Sequence, residues 1–491
     1  MAEVTVGSEN SSSTVGQRRV QPILTGKMGV LSLTLTVMAF SAPMAVVEGF
    51  IPLAIMFGGP GACFGMLLTV AILLLFAMGY VTMAKSLPIS GNFYAFISAG
   101  LGKGIGLGSA FLAILGYISF LCGSYIFLGV SAESLITGLG GPAIPWPILA
   151  VLGWLLVSTL GYFNIELSAK ILGVAMVFEI AIVMIFNVFV LAKGGSEGLS
   201  STPFTLSSFS NGDMGVTLLY SILIFMGFEA TALFRGEVRN PDRTIPRATY
   251  MAVLLIGILY TLSCYGLVSA YGASAWEVAK NDPTDMFAHA IGRFVSPVFT
   301  QIAYCSVIMS LLAATLSIHN VLSRYVLNLA GDRVLPNYLA RIHAKHSSPH
   351  AASNGIAIAA GIILAPLIYC GVDGSILYAV VTGVGGLCVI LMLAIVSIAI
   401  INWFRLDGLY REYSIFKVFV APAISACVFL STFFFAVKHI DLVVGGAPGE
   451  NDWVVWLIYG ALVAGCSLAT FFRVKKPGIY LGLGCASQLR H

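Results

Sequence analysis

The sequence predicts an all-α polytopic membrane protein with twelve transmembrane helices, built as a 5+5 inverted repeat with two further helices at the C-terminal end. Three observations carry that expectation. Hydrophobic residues are 58% of the 491-residue chain and charged residues only 9%. A soluble domain carries roughly 25% charge, and with so little a water-facing surface could not be covered. The apolar residues fall in blocks of about 20, the length that crosses a hydrocarbon core as a helix. Lysine and arginine then segregate into alternate connections between those blocks. Together these exclude soluble, disordered and nucleic-acid-binding classes. A β-barrel is excluded because the runs are continuously apolar and do not alternate.

Residues 1–27 are rich in Ser, Thr and Gly and read as a disordered tail. No cleavable signal peptide is expected, because the apolar block from Met28 is longer than a signal core and lacks a small-residue cleavage pattern. The transport domain spans 28–473, with spans near 28–57, 63–84, 104–130, 146–163, 168–192, 214–236, 247–271, 295–327, 354–370, 374–401, 418–438 and 453–472. Residues 474–491 form a second tail. With a cytoplasmic N-terminus, every Lys and Arg except Lys193, Lys280, Arg293 and Lys438 faces inside. That bias supports the count, since a missed span would scramble it, and it sets both termini in the cytoplasm. The net charge of +4 adds little. The nine cysteines are scattered, mostly within apolar runs and without a C-x-x-C pair, so neither a disulfide framework nor a zinc site is indicated.

Two spans carry matching interruptions. The first is too long for one straight helix and holds Pro43 near its centre. Proline removes a donor and disfavours helix at the preceding residue, here Ala42. The sixth holds Gly227 followed, two residues on, by Glu229. Ser41 lies 13 residues beyond Met28, and Gly227 lies 13 beyond Met214. Repeat one (28–192) and repeat two (214–401) hold five spans each. Five is odd, so the second copy enters the membrane from the opposite side. Interrupted helices at equivalent places in inverted halves point to a secondary transporter's substrate site. Ordinary kinks are the plainer explanation, since membrane helices tolerate Gly and Pro.

Four stretches resemble the amino acid–polyamine–organocation superfamily of permeases. They are PISGNFYAFISAGLGKGIGLGSAFLA (88–113), FMGFEATALFRGEVRNPDRTIPRATY (225–250), SRYVLNLAGDRVLPNYLARIH (323–343) and AFSAPMAVVEGFIPLAIMFGG in the first span. The second carries the family's G-F-E element and its N-P-x-R-x-I-P-R loop. The third matches R-x-x-x-x-x-A-x-D-x-x-x-P. The first span has a proline at the break where many members have a glycine-rich element. The likeness covers roughly 28–475. It implies that fold and an amino acid or amine substrate held between the two broken helices, and it is weak for the identity of the substrate.

Physical chemistry suggests the same site. The outer half of the first helix starts after the break, so the free N–H groups of Ala42 to Val46 and a positive dipole end suit a carboxylate. Pro43 fits a helix start, where no donor is needed. Carbonyls freed around Phe40 and Phe225 to Gly227 suit an ammonium group. The expected substrate residues are Ser41, Ala42, Pro43, Met44, Phe225, Gly227 and Phe228. The two phenylalanines cover the ligand, unless they serve only in packing. Deep carboxylates are costly and need a partner, a proton or water, by about 2.5–3.5 kcal/mol on insertion scales. Glu229, often acidic in the family, and Glu179 are the candidates for ion coupling. Glu179 stands about where many proton-coupled relatives have a lysine. A proton is favoured over sodium as the coupling ion. Glu48 lies about 7.5 Å along the helix from Pro43; it either faces a vestibule and repels anions or bonds a neighbouring helix. Substrates should therefore be neutral or cationic.

His343, His346 and His350 sit in a basic loop without acids, so a solvated loop is favoured over a metal site. No Walker loop or nucleophilic triad stands out. No enzymatic activity, metal, cofactor or nucleic-acid partner is expected. The partners expected are a small-molecule substrate, a proton and the lipid bilayer. The expectation is a plasma-membrane permease for an amino acid or related amine, working by alternating access with proton-coupled uptake. The alternatives are a polyamine or cationic amine permease or exchanger, a major-facilitator carrier, and a channel. A major-facilitator protein would typically have a long central loop, and a channel would need a continuous polar stripe; the sequence shows neither.

Overall fold

The computed structural model describes residues 28–87, 93–163, 169–228, 231, 235, 238–342, 349–406, 408, 411–444 and 449–484. The expected N-terminal tail, Glu229, His343 and His346 lie outside the described residues. Among those described, every extended regular element is a helix, and the one β-type contact is an isolated bridge between Met28 and Val238. Among the described residues, nine helical runs are long and apolar enough to cross a membrane, and two apolar helices, Trp146–Tyr162 and Met214–Leu223, are shorter.

The main helices are α1 (Val30–Phe40), α2 (43–58), α3 (Ala62–Ser86), α4 (Phe93–Leu101), α5 (Lys103–Gly138), α6 (Trp146–Tyr162), α7 (Ala169–Lys193) and α8 (Met214–Leu223). They continue as α9 (Pro241–Tyr271), α10 (Ala275–Asn281), α11 (Met286–Phe294), α12 (Pro297–Gly331), α13 (His350–Tyr369), α14 (Gly374–Leu406), α15 (Ala421–Lys438), α16 (Asp452–Lys475) and α17 (Pro477–Gly482). α2 passes through a π-helical stretch at Val46–Phe50, and only the Gly59–Gly61 turn separates it from α3.

The chain breaks where proline and glycine demand it. Pro43 opens α2, and Ala42 before it takes the left-handed conformation with φ 47°, the αR region being disfavoured ahead of proline. Only Ser41 and Ala42 are non-helical, because Pro43 is well placed in a first helical turn. α8 stops at Leu223, and three-residue turns follow. Phe225 N–H donates to Ile222 O at 3.1 Å and Met226 N–H to Leu223 O at 3.0 Å. Gly227 then takes φ 106°, which a side chain would resist.

Hydrogen bonds between the ends of helices define two opposite faces. On one, Arg239 N–H donates to Met28 O at 3.0 Å, Arg235 Nη1 to Ala84 O at 3.0 Å and Trp403 Nε1 to Ser86 Oγ at 3.0 Å. The C-terminal segment joins this terminal face. Residues 477–484, expected only as a tail, pack back: Lys103 Nζ donates to Leu481 O at 2.5 Å, Gly484 N–H to Asp332 Oδ2 at 3.2 Å, and Leu483 is buried. On the other face, Asp213 N–H donates to Phe57 O at 3.0 Å and Trp276 Nε1 to Met56 O at 3.0 Å.

α5 is the central post, packed against α14, α16, α12 and α6. Of the most apolar stretch of α14, 78% is buried, against 22% for α16, so α14 belongs to the core and α16 to the rim. α5 and α16 meet on glycine. A Cβ on Gly108 would stand 2.7 Å from Leu462 O, and one on Gly465 2.6 Å from Leu107 O. Small residues allow this close approach, on which packing between membrane helices depends. Gly465→Leu should push α16 off α5 at a cost of about 1–3 kcal/mol or more. A lowered melting temperature in detergent with wild-type KM is the expected result, and an unchanged melting temperature would refute the contact.

Candidate functional site

The two interruptions meet on one cavity of about 230 Å³. Ser41, Ala42, Met226 and Gly227 line it together, although some 185 residues of chain separate them. Its wall continues toward the terminal face through Tyr80 and Phe93 to Arg324 and Tyr325, on the last turns of α12. Toward the other face it is roofed by aromatic rings. Tyr378 of α14 stacks on Phe127 of α5, with centroids 4.6 Å apart and planes at 22°. Phe50 of α2 meets Tyr378 edge-on at 6.0 Å. Such offset and edge contacts are the favoured ring geometries.

Glu179 holds the break of the first helix. Its Oε2 accepts from Met44 N–H at 3.1 Å and from Ser310 Oγ at 2.9 Å. The carboxylate of α7 thus caps the start of α2 and ties it to α12, where a negative group meets the positive end of the helix dipole. Beside it, Ser41 Oγ and Tyr260 OH of α9 share a hydrogen bond of 2.6 Å. Glu179 thus takes up a backbone N–H that a continuous helix would have bonded itself.

Several expected roles change. Among the N–H groups assigned to a ligand carboxylate, that of Met44 is taken by Glu179 and that of Val46 by Ala42 O at 3.1 Å. Pro43, Met44, Phe225 and Phe228 are buried but lie outside the cavity wall. Phe228 packs edge-on against Phe76 at 5.9 Å, within a ring cluster that includes Tyr80 and Phe429. It turns away because the three-residue turns after Leu223 rotate it toward α3. Glu179 also lies behind the wall rather than on it. Glu229 lies outside the described residues. Glu48 does not line the cavity. It is fully buried, and neither carboxylate oxygen has a hydrogen-bond partner among the described residues. His350 begins α13 with its ring 6.2 Å from that of Tyr162, and no group of three or more metal-ligating side chains occurs among the described residues.

Beyond the roof, a second space of about 340 Å³ is lined by Glu133, Lys280, Asp282, Asp285 and Asp373. Burial, and then the nearby charge of Asp285, hold the Asp282 carboxyl above the usual carboxylate range. Asp285 and Glu133 accept hydrogen bonds. Tyr304 OH donates to Asp285 Oδ1 at 2.8 Å, and Trp146 N–H to Glu133 Oε2 at 2.9 Å.

Sequence reasoning missed the roof, Tyr260 and Ser310, and it assigned Arg324 only to the cytoplasmic side, where the structure has it exposed and also lining the cavity. No local signal marks these residues, since each acts through a partner more than 100 positions away or through a cavity formed by several helices. The weight of the Glu179 bond is measurable. Hydrogen exchange of the amides at 41–46 should rise in Glu179→Ala, which loses a charged acceptor worth about 1.5–3 kcal/mol. It should stay closer to wild type in Glu179→Gln, which keeps an acceptor oxygen. Equal exchange in all three proteins would remove Glu179 from this role.

Residues 31–475 match the family model described as amino acid permease. The branched-chain amino acid permease BcaP of Bacillus subtilis (strain 168) is 21% identical over 311 residues, covering 60% of this chain and 65% of that protein. The chloroplastic cationic amino acid transporter 6 of Arabidopsis thaliana is 26% identical over 311 residues, 58% of this chain and 51% of its own. The aspartate-proton symporter of Bacillus subtilis (strain 168) is 24% identical over 257 residues, 50% of this chain and 46% of its own. The chain therefore spans less than two thirds of the length of each of these relatives.

Proposed function

The chain belongs to the amino acid permease family, within the amino acid–polyamine–organocation superfamily that its sequence resembles, and on that premise we propose that it is a secondary active carrier of an uncharged amino acid. One observation carries the choice of substrate. The cavity between the two interruptions is walled by aromatic, aliphatic and hydroxyl side chains, and no carboxylate is among its described lining residues. Arg324, at the far end, is the one ionic group among those described residues. A cationic substrate would be desolvated there without a counter-charge, which is costly. A zwitterion brings both charges to the interruptions, where backbone groups and helix ends can pair with them. The relatives named for cationic amino acids and for aspartate make charge the property to test first.

We read twelve spans: α1 with α2 as the first, α3 as the second, and the short α6 and α8 as the fourth and sixth. The halves 28–192 and 214–401 then form the inverted repeat, with both termini cytoplasmic in the plasma membrane. Substrate sits at Ser41, Ala42, Met226 and Gly227, and the cavity reaches toward the cytoplasm beneath a closed aromatic roof. That roof favours a carrier over a channel, because it interrupts any continuous path. The matched interruptions favour this topology over the major-facilitator one.

The test is uptake into proteoliposomes. Leucine, asparagine, lysine and aspartate are offered singly and as competitors. Saturable counterflow of the neutral pair, unaffected by excess lysine or aspartate, is expected. Preference for lysine or aspartate would overturn the choice, and ohmic single-channel currents would overturn the carrier.

Coupling is to a proton. A driving ion must bind differently in the two access states, because equal affinity shifts nothing. We assign this role to Glu229, two residues after Gly227 in the sequence, and to Glu179, which accepts from Met44 N–H. A change of one pKa unit between states is worth about 1.4 kcal/mol, a tenfold bias. Glu229→Gln should fold and exchange substrate yet lose accumulation under an imposed proton gradient. Equal accumulation by both proteins, driven by sodium alone, would sink the proton assignment.

A further inference from the structure

Glu48 stands on the π-helical stretch of α2 at 0% exposure, and neither carboxyl oxygen has a hydrogen-bond partner among the described residues. What covers it is the segment between α9 and α12. There α11 packs against the π-helical stretch and α10 against the far half of α2. Ala288 N–H of α11 comes near the carboxyl without reaching hydrogen-bond geometry. The underside of α11 is apolar, with Met286, Phe287, Ala288 and Ile291 all fully buried. Polar ties hold the segment down. Tyr271 OH donates to Met286 O at 2.8 Å, Lys193 Nζ to Phe294 O at 2.6 Å, and the hydroxyls of Thr284 and Ser375 share a bond of 2.8 Å. An apolar lid thus rests on an acid.

The groups facing that acid offer it no counter-charge. Asp285, just ahead of α11, gives its carboxylate to Tyr304 and Ser134, and α11 starts without a side-chain cap. The charge of Asp285, and after it that of Asp282, acts on Glu48. The other titratable groups turned toward it are phenols: Tyr271 of α9 and Tyr304 of α12, Tyr378 of α14 beside Gly49, and Tyr220 of α8, bonded to Ala379 O. His289 and Arg293 of α11 are exposed. Ionised beneath the lid, Glu48 would be a buried, unpaired charge beside two acids, far costlier than a neutral carboxyl.

Asp282 and Asp285 also line the second space of about 340 Å³ beyond the roof, so the start of α11 stands between that space and Glu48. Lifting it would let water reach the carboxyl. We propose that Glu48 is a proton-binding site of the outer gate: α10 and α11 close over α2 when Glu48 has taken a proton, and the ionised carboxylate holds them off. The proposal goes beyond the transport reading. It rests on the topology that sets this face outside, and not on which ion drives uptake. Closure then binds one proton, so raising the pH shifts the segment toward open, by at most about tenfold per pH unit.

Hydrogen exchange of the amides at 46–50 and 286–294 is measured on the full chain in lipid nanodiscs across pH, wild type beside Glu48→Gln, which keeps the shape and never ionises. Comparing the two proteins at each pH cancels the intrinsic rise of exchange with pH. At mildly acidic pH they should match. Toward alkaline pH wild-type exchange should pull ahead by about tenfold, while amides of α5 and α14 stay equal. If Glu48→Gln does not fold, Glu48→Ala carries the same readout. A ratio within twofold at every pH overturns the proposal. So does closure of the wild-type segment at alkaline pH on adding sodium, which would put a cation where the proton is assigned. The proton-coupled reading of uptake is judged separately, by accumulation in Glu229→Gln, so the two can fail apart.

Discussion

The structure depends on how it satisfies a backbone that has been cut inside an apolar bundle. In hydrocarbon no water replaces a lost intrahelical hydrogen bond, so an open turn is tolerated only where protein groups or a wet cavity take over. At Ser41–Ala42 the replacement is local and strong. Glu179 accepts the Met44 N–H, and Tyr260 meets the Ser41 hydroxyl. At 224–228 it is weaker, a ladder of short turns ending on a glycine in the left-handed region. One interruption is braced by side chains from three other helices; at the other, the chain's own turns take up the N–H groups of Phe225, Met226 and Phe228. The cavity lies where both open.

Around the cavity the bundle divides into a close-packed part and a looser part. α5 and α14 lie against each other over much of their length and carry two of the three roof rings. α2 supplies the third, Phe50, and is itself held by Glu179 at its start and by Trp276 and Asp213 near its end. A tilt of α2 would part Phe50 from Tyr378 without disturbing the Tyr378–Phe127 stack. The π-helical stretch at Val46–Phe50 lies between the capped start of α2 and its far end. Such stretches are frequent at functional sites.

Much of this was legible in the sequence, for identifiable reasons. Apolar block length and the distribution of Lys and Arg are properties of single segments, so the all-helical membrane class could be read directly. Pro43 and Gly227 act on their own backbone, so the interruptions could be placed to within a residue or two. What each side chain does at an interruption is decided by neighbours remote in sequence. Glu179 could be marked as a costly buried acid, but its partners Met44 and Ser310 lie 135 and 131 residues away. Phe228 could be marked as an aromatic beside a break, but only the turns after Leu223 decide that it faces Phe76. The roof escaped notice because Phe50, Phe127 and Tyr378 are ordinary aromatics in ordinary apolar helices until the fold stacks them.

The position of Glu179 bears on how the proposed uncharged substrate would be coupled to an ion. A carboxylate on the cavity wall would compete with the substrate for its ammonium group and would attract cations. Set one layer behind the wall, Glu179 meets the start of α2 through Met44 N–H. Ionised, it accepts from Met44 N–H and from Ser310 Oγ, two charge-assisted bonds that fix the start of α2 against α7 and α12. Protonated, it becomes a weaker acceptor and gains a hydrogen to donate. Its proton and the placement of α2 are then linked, and by reciprocity whatever moves α2 changes the affinity for the proton. Under the proposed coupling, the substrate and the proton meet through the backbone of a broken helix without sharing a site.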